Sequence, residues 1–301
     1  MRLVTFVPRD APDEVPHLGA MLDDEHLLDL NDASGGQLPT DVAGFLAAGA
    51  PALARARSLV ADAGADTESI FTTAAVRLLA PVPRPGKIIA LARNYADHAA
   101  EGGAVPPDKP TIFAKFSNSV VGPYDDIVLP RVSEQIDYEA ELVAVIGTRC
   151  YQVDEADALQ YVGGYTIAND VSVRDYQRMT TQFTLGKTFD THCPMGPAVL
   201  TADEAGDPQA MHITTTINGE VLQDASTADM VFSVAHLVAF LSAVMTLEPG
   251  DVILTGTPGG VGAWRKPPRW IRDGEVVRIE IAGIGHIENK AVAESARSGA
   301  A

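Results

Sequence analysis

The length, composition and charge of this chain limit the classes of protein to which it can belong. Its 301 residues are 46% hydrophobic and 21% charged, a mixture typical of a globular protein with one large domain and one small one. The 40 acidic and 22 basic residues give a formal net charge of −18, which excludes nucleic acid and anionic membranes as expected partners.

The cysteines and the apolar segments bear on the cellular compartment. Cys150 and Cys193 have no C-x-x-C partner and cannot form a disulfide framework, which favours a reducing environment. The first ten residues lack the long apolar core of a signal peptide, and the longest apolar stretch, residues 231–247, is interrupted by polar side chains. We therefore expect a soluble, cytoplasmic protein.

The first 79 residues are expected to form a small N-terminal α/β domain. The predicted elements are a strand at 2–7, a hairpin near 18–30, and helices around 41–48 and 51–63. Residues 80–86, Ala-Pro-Val-Pro-Arg-Pro-Gly, form a proline-rich connector that cannot continue a helix. This connector predicts a domain boundary.

Residues 87–292 are expected to form a larger, strand-rich domain. Short β-branched segments alternate there with Gly and Pro, and helices are predicted at 155–162 and 234–245. This pattern favours a mixed α+β domain over a doubly wound sheet. The small and polar residues of the tail, 293–301, are expected to be frayed.

Three carboxylates in apolar surroundings are the strongest functional signal. Glu139 and Glu141 are two residues apart at the start of an apolar segment that predicts a strand, so their side chains share one face. Asp170 follows a second β-branched segment. Buried carboxylates need a compensating charge, and oxygen ligands alone favour Mg²⁺, Mn²⁺ or Ca²⁺ over zinc. The alternative is a solvated edge strand whose acids all face water.

A candidate acid–base pair lies near the start of the larger domain. His98 and Glu101 follow a predicted strand at 87–92, on a short helix that Gly102 and Gly103 would end. At a spacing of i, i+3 a carboxylate can orient an imidazole as a general base. The alternative is a surface helix with an incidental histidine.

Three further polar residues could contact an anionic substrate. Lys187 lies in a segment whose turn-forming residues predict a loop, and its ammonium could stabilise an oxyanion. Arg174 and Gln177 come just after Asp170 and could bind a substrate carboxylate. The alternatives are a solvated lysine and a surface ion pair between Arg174 and Asp175.

Taken in order, these segments resemble the conserved blocks of the fumarylacetoacetate hydrolase family. The similarity covers residues 81–289, and the N-terminal unit is similar to the accessory domain of longer bacterial members of the domain-containing 2 type. The matching blocks are Pro85-Gly-Lys-Ile-Ile, Asn94-Tyr-x-x-His98-x-x-Glu101, Asp137-Tyr-Glu-x-Glu141-Leu, Asn169-Asp170-Val-Ser-x-Arg174-Asp, Gly186-Lys187-x-x-Asp190, Asn218-Gly-Glu220, Pro249-Gly-Asp251-x-Ile and Thr255-Gly-Thr-Pro-x-Gly-Val-Gly262.

The resemblance implies a fold, a cofactor and roles for individual residues. The expected fold is a mixed β-sandwich roll with a small N-terminal α/β domain, usually as a homodimer. Mg²⁺ or Mn²⁺ is expected at Glu139, Glu141 and Asp170. The remaining implied roles are a lid dyad of His98 and Glu101, an active-site lysine at Lys187, and substrate contacts from Tyr95, Arg174, Gln177 and Thr257.

The expected activity is metal-dependent hydrolysis of a C–C bond in an acylpyruvate-type 2,4-dioxo acid. In that mechanism His98, oriented by Glu101, activates water, and Lys187 stabilises the oxyanion. The first alternative is a decarboxylase, isomerase or tautomerase of 2-oxo dicarboxylates such as oxaloacetate or 2-hydroxyhepta-2,4-diene-1,7-dioate. The second is a noncatalytic carboxylate-binding protein, since one fold supports many functions.

Overall fold

The computed structural model describes residues 1–13, 15–64, 67–103, 105 and 107–295, and it consists mostly of strands with few helices, which confirms the predicted α+β class. The first strands are β1 (Arg2–Pro8), β2 (His17–Met21), β3 (His26–Asp29), β4 (Ile70–Thr72), β5 (Val76–Leu79), β6 (Ile88–Ala92), β7 (Thr111–Lys115), β8 (Val120–Val121), β9 (Ile127–Leu129) and β10 (Ile136–Asp137). The others are β11 (Ala140–Ile146), β12 (Val162–Asn169), β13 (Ser172–Val173), β14 (Cys193–Thr201), β15 (His212–Ile217), β16 (Glu220–Ser226), β17 (Val252–Leu254), β18 (Val276–Ile281) and β19 (Gly285–Ala293). The α-helices are α1 (Leu30–Ala33), α2 (Val42–Asp62), α3 (Ala96–Glu101), α4 (Arg174–Gln177), α5 (Thr184–Lys187), α6 (Ala202–Ala205) and α7 (Val234–Ser242).

The strands of the described residues form three sheets. The largest has twelve strands in the order β4-β3-β2-β1-β14-β12-β11-β17-β6-β7, with β5 added to β1 and β8 added to β14. A second sheet has the order β16-β15-β18-β19-β9, and β10 pairs with β13. β11 and β12 lie at the centre of the large sheet. The acidic residues of the predicted metal site lie on or directly beside these two strands.

The N-terminal strands extend the large sheet. β1 pairs antiparallel with β14, with Arg2 opposite Leu200 and Leu3 opposite Val199. The proline-rich residues 80–86 lie between the end of β5 and the start of β6. The division into domains 1–79 and 87–292 stays a prediction.

Both faces of the large sheet are covered by apolar side chains. Along β11, Val143 and Val145 pack into one cluster, whereas Leu142 and Ala144 pack into another. A strand that is buried on both faces has a continuous apolar sequence instead of an alternating one. This explains why residues 142–146 are apolar without interruption.

The helices differ in detail from the predicted ones. The two helices predicted at 41–48 and 51–63 form one element, α2, with a kink at Gly49 (φ 66°, ψ −148°) two residues before Pro51. Residues 155–161 form a 3₁₀-helix. The helix predicted at 234–245 is α7, which the Ser233 hydroxyl caps by accepting from the His236 amide.

Two further observations concern the ends and the apolar segments. β19 ends at Ala293, and residues 296–301 of the predicted frayed tail lie outside the described residues. No helix within the described ranges is both long and apolar enough to cross a bilayer.

Candidate metal centre and active-site cavity

The pairing of β11 with β12 brings the three predicted carboxylates together. Ala140 lies opposite Asn169 in this antiparallel pair, so Glu139 and Asp170 flank the same end of the ladder. The Asp170 amide donates to the Glu139 carbonyl at 2.9 Å, and the Glu139 amide donates to the Asn169 side chain at 3.0 Å. Carboxylate oxygens of Glu139, Glu141 and Asp170 lie within 4.8 Å of one another, and all three residues are buried.

Glu141 has one carboxylate oxygen committed and one free. Its Oε2 accepts from the Gly256 amide at 2.7 Å, whereas its buried Oε1 has no hydrogen-bond partner among the described residues. Burial, together with the negative charges of Asp170 and Glu139, raises the pKa of Glu141 well above its usual value. A free oxygen on a carboxylate that resists ionisation is what a cation would satisfy.

Glu139 is held by two buried cations. Its Oε1 lies 2.5 Å from Arg174 Nη2, and its Oε2 accepts from Lys187 Nζ at 2.6 Å. Burial alone would raise the pKa of Glu139, but Arg174 and Lys187 outweigh burial and hold that pKa below its usual range. Lys187 Nζ also donates to Asp170 Oδ2 at 2.5 Å, so the ammonium bridges two of the three carboxylates.

Lys115 completes the charge balance and was missed in the sequence analysis. Its Nζ lies 2.8 Å from Asp170 Oδ1 and donates to the backbone carbonyls of Lys187 and His192. It therefore positions Asp170 and the Lys187 segment relative to each other. Its signal in the sequence is parity: Lys115 points to the same side of β7 as the buried Phe113, and an inward lysine on a strand needs a partner.

The three carboxylates fit a divalent cation. They offer only oxygen ligands, the set that hard divalent ions prefer, and the free Oε1 of Glu141 supplies an uncommitted ligand. Glu139, Glu141 and Asp170 would hold the ion.

We expect the ion to stabilise the fold, because three clustered carboxylates repel one another until a cation is bound. Mg²⁺ at about 100 times its dissociation constant should add about 2.7 kcal/mol to the free energy of unfolding. Chemical denaturation in EDTA and in excess Mg²⁺ measures the difference. Identical stabilities in the two conditions would contradict a metal site here.

Arg174 does not form the surface pair with Asp175 that the sequence allowed. It is buried, and its guanidinium binds Asp137 Oδ2 at 2.8 Å, Glu139 and the Gln177 side chain at 3.0 Å. Asp175 instead accepts from the Ser133 hydroxyl. The Arg174 amide donates to the Gln135 carbonyl at 2.9 Å, which holds the start of α4 beside the segment that carries Asp137 and Glu139.

The prediction of a loop around Lys187 is wrong, because Lys187 is the last residue of the one-turn helix α5. Gly186 allows this turn to pack against α4: a Cβ there would lie 2.5 Å from the Gln177 Cα. The glycine that indicated a loop is thus needed for the close approach of two short helices. This packing buries Lys187 and directs its ammonium to the carboxylates.

His98 and Glu101 lie on α3 as predicted, but they are not hydrogen-bonded to each other. Both carboxylate oxygens of Glu101 accept from the Gly260 amide, at 2.8 and 3.0 Å. The buried Nδ1 of His98 has no partner among the described residues. Burial is the main cause that lowers the pKa of His98 from 6.5, so the imidazole is neutral near pH 7.

Six of the ten predicted site residues line one cavity, whereas Tyr95, Glu101, Glu141 and Asp170 are not among its described lining residues. This cavity has a volume of about 170 Å³, below the ~300–1,000 Å³ typical of sites for drug-sized ligands. Tyr95 is not among the described residues that line it; its hydroxyl is buried without a partner. Six of the predicted residues line the cavity, namely His98, Glu139, Arg174, Gln177, Lys187 and Thr257.

The sequence predicts that residues 95–107, around the dyad, form a mobile lid over substrate. This segment contains α3, and Glu101 joins it to the glycine-rich loop, residues 255–262, by accepting from the Gly260 amide. Ala104 and Pro106 of the segment lie outside the described residues. Gly102 packs on Trp264, because a Cβ on Gly102 would lie 3.3 Å from Trp264 Cζ2. Movement of this segment over substrate stays a prediction.

Comparison with known proteins finds relatives that align with nearly the whole chain. Residues 87–292 match the family model described as fumarylacetoacetate (FAA) hydrolase C-terminal. The oxaloacetate tautomerase fahd2, mitochondrial, of Xenopus laevis is 44% identical over 295 residues, which cover 97% of this chain and 90% of that protein. That name places the relative in mitochondria, so a cytoplasmic location for this chain stays a prediction.

Solved structures show the same fold. Fumarylacetoacetate hydrolase from psychrophilic Exiguobacterium antarcticum is 35% identical with a TM-score of 0.82, covering 98% of this chain and 100% of that one. Maleylpyruvate hydrolase from Sphingobium sp. SYK-6, in complex with manganese(II) and pyruvate, is 30% identical with a TM-score of 0.80 and the same coverage. The chain therefore belongs to the fumarylacetoacetate hydrolase family.

Proposed function

We propose that this protein is a divalent-metal-dependent tautomerase that interconverts the enol and keto forms of a small 2-oxo dicarboxylate such as oxaloacetate. The reaction moves one proton between C3 and the oxygen on C2, and no bond between carbon atoms is broken. It needs one base beside a group that stabilises an enolate.

The observation that carries this proposal is that no hydrogen bond joins His98 to Glu101 among the described residues. A hydrolytic mechanism uses the carboxylate to orient the imidazole and to stabilise the imidazolium while water is activated. Here Glu101 is bound to Gly260 instead. His98 faces the cavity as a neutral base with an unpaired Nδ1, which is sufficient for proton transfer to and from carbon.

The groups in and beside the cavity have different roles in this reaction. Glu139, Glu141 and Asp170 would hold a divalent cation, which would supply Lewis-acid polarisation of a 2-oxo group. His98 accepts the proton that leaves C3 and returns it to the oxygen on C2. Lys187 and Arg174 balance the negative charge of Glu139.

The names of relatives support the same class of reaction. The Xenopus laevis protein is named an oxaloacetate tautomerase. The structure with manganese(II) and pyruvate pairs a divalent ion with a small 2-oxo acid on the same fold. We therefore propose Mg²⁺ or Mn²⁺ as the ion and a small anionic 2-oxo acid as the substrate. The homodimer that the family resemblance implies stays a prediction.

Hydrolysis of an acylpyruvate-type acid is the second candidate. Its support is that His98 and Glu101 share α3 and that a maleylpyruvate hydrolase is 30% identical with a TM-score of 0.80. This activity requires Glu101 to leave Gly260 and to reach His98.

Product analysis separates the two candidates. With Mg²⁺ or Mn²⁺ present, we expect the enol absorbance of oxaloacetate to decay faster than it does without enzyme, with no pyruvate formed beyond that in the enzyme-free reaction with the same metal. We expect acetylpyruvate to stay intact. Release of acetate and pyruvate from acetylpyruvate would instead identify a hydrolase, and pyruvate from oxaloacetate a decarboxylase; mass spectrometry detects both.

A further inference from the structure

Arginines at the mouth of the cavity are not neutralised as the inner cations are. Arg174 and Lys187 are buried and paired with carboxylates. Arg93 and Arg178 also line the cavity but are exposed, and neither pairs with a carboxylate in the described part of the chain. In a chain with a net charge of −18, two unpaired cations at one opening form a local attraction for an anion.

Arg178 is held in place by an aromatic ring. Its Cζ lies 5.1 Å from the centroid of the Trp264 ring, and Trp264 also lines the cavity. A guanidinium over an aromatic face keeps the N–H groups at its edge free for a carboxylate. The ring therefore restricts the side chain without consuming its hydrogen-bond donors.

Arg174 and Arg178 mark two depths in the cavity, an inner one and one nearer the mouth. The Arg178 amide donates to the Arg174 carbonyl at 3.1 Å, so the two residues are related as i and i+4 on one helical turn. Such residues share a face and are separated by about 6 Å along the helix axis. Arg174 contacts Glu139 at the inner end, and Arg178 lies one turn further towards the mouth.

We infer that Arg178, held over Trp264, binds the distal carboxylate of a dicarboxylic substrate and thereby selects diacids over monoacids. The inference rests on the proposed function for the inner half of the ligand, the 2-oxo acid group at the carboxylate cluster. Arg93 adds positive charge at the same opening. The chemical class selected is a short 2-oxo or 2-hydroxy diacid.

The test uses two acids that differ only at the distal end, L-malate and 2-hydroxybutanoate. Calorimetry of the Mg²⁺-loaded protein should show malate binding at least ~10-fold more tightly, the usual worth of one charge-assisted hydrogen bond. Arg178→Gln should abolish this preference and leave the affinity for 2-hydroxybutanoate unchanged. The matched control is Arg55→Gln, an exposed arginine on α2, which should keep the preference.

Three results would overturn the inference. They are a wild-type protein that does not distinguish the two acids, an Arg178→Gln variant that retains the preference, and an equal loss of both affinities, which would mean that Arg178 only supports the fold of the site. Because the assay measures binding, it separates this inference from the proposed reaction. A malate preference without turnover of oxaloacetate would contradict the tautomerase alone.

Discussion

Glu141→Gln is expected to abolish Mg²⁺ binding and to reduce turnover by at least ~100-fold, because the ion supplies several kcal/mol of transition-state stabilisation. The substitution keeps an oxygen that can accept from the Gly256 amide, so the local backbone should be undisturbed. It removes the carboxylate whose buried Oε1 has no hydrogen-bond partner among the described residues. Calorimetric titration with Mg²⁺ and a rate assay on oxaloacetate measure both effects.

Stability provides the control for this variant. The raised pKa of Glu141 means that its ionised form is disfavoured in the folded state, so this destabilisation grows as pH rises towards that folded pKa. Metal-free Glu141→Gln should therefore be at least as stable as metal-free wild type at neutral pH. A variant that still binds Mg²⁺ with wild-type affinity would exclude Glu141 as a ligand. A metal-free variant that unfolds at lower denaturant than metal-free wild type would mean that lost binding comes from a disturbed fold.

His98→Ala is expected to reduce turnover by roughly 10²- to 10⁴-fold, the usual worth of a positioned general base. Mg²⁺ and oxalate affinities should change little, because no hydrogen bond joins His98 to the three carboxylates among the described residues. The wild-type rate should fall as the imidazole becomes protonated, at a pH below the ordinary His value of 6.5, because burial lowers its pKa. Steady-state rates between pH 5 and 8 follow this loss.

Glu101→Gln separates the two candidate reactions within the same assay. Since Glu101 binds the Gly260 amide and not His98, a glutamine that keeps one acceptor oxygen should cost less than ~10-fold, the worth of one weakened hydrogen bond. A loss as large as that of His98→Ala would show that the two residues act as a dyad. Wild-type turnover in His98→Ala would eliminate the histidine as the base.

Several features of the site could be predicted because their causes are local in the sequence. Side chains alternate between the two faces of a strand, so residues i and i+2 share a face. The proximity of Glu139 and Glu141 therefore follows from their spacing in the sequence. An acid directly after a second apolar strand, Asp170, is brought close by the pairing of consecutive strands, which are usually neighbours. The α+β class and the family followed from the same periodicity and from the order of the motifs.

Other features depend on partners that no local pattern indicates. Glu101 and Gly260 are 159 residues apart, and three positions along a helix indicate only that Glu101 and His98 share a face. Whether the carboxylate contacts the imidazole or a backbone amide depends on how the glycine-rich loop packs against α3. Each of these hydrogen bonds contributes about 1 kcal/mol to stability. A contribution of this size produces no recognisable pattern of composition or spacing.

The sequence by itself thus determined the fold class, the family and the set of carboxylates, because hydrophobic periodicity and the order of motifs are properties of the local sequence. Only the tertiary structure decided the charge balance of the site. It buried Arg174 against Asp137 and Glu139, placed Lys115 behind Asp170, and set Arg178 over Trp264 at the mouth. Charges in a chain interact according to distance in space and local exposure to water, and the fold alone establishes both.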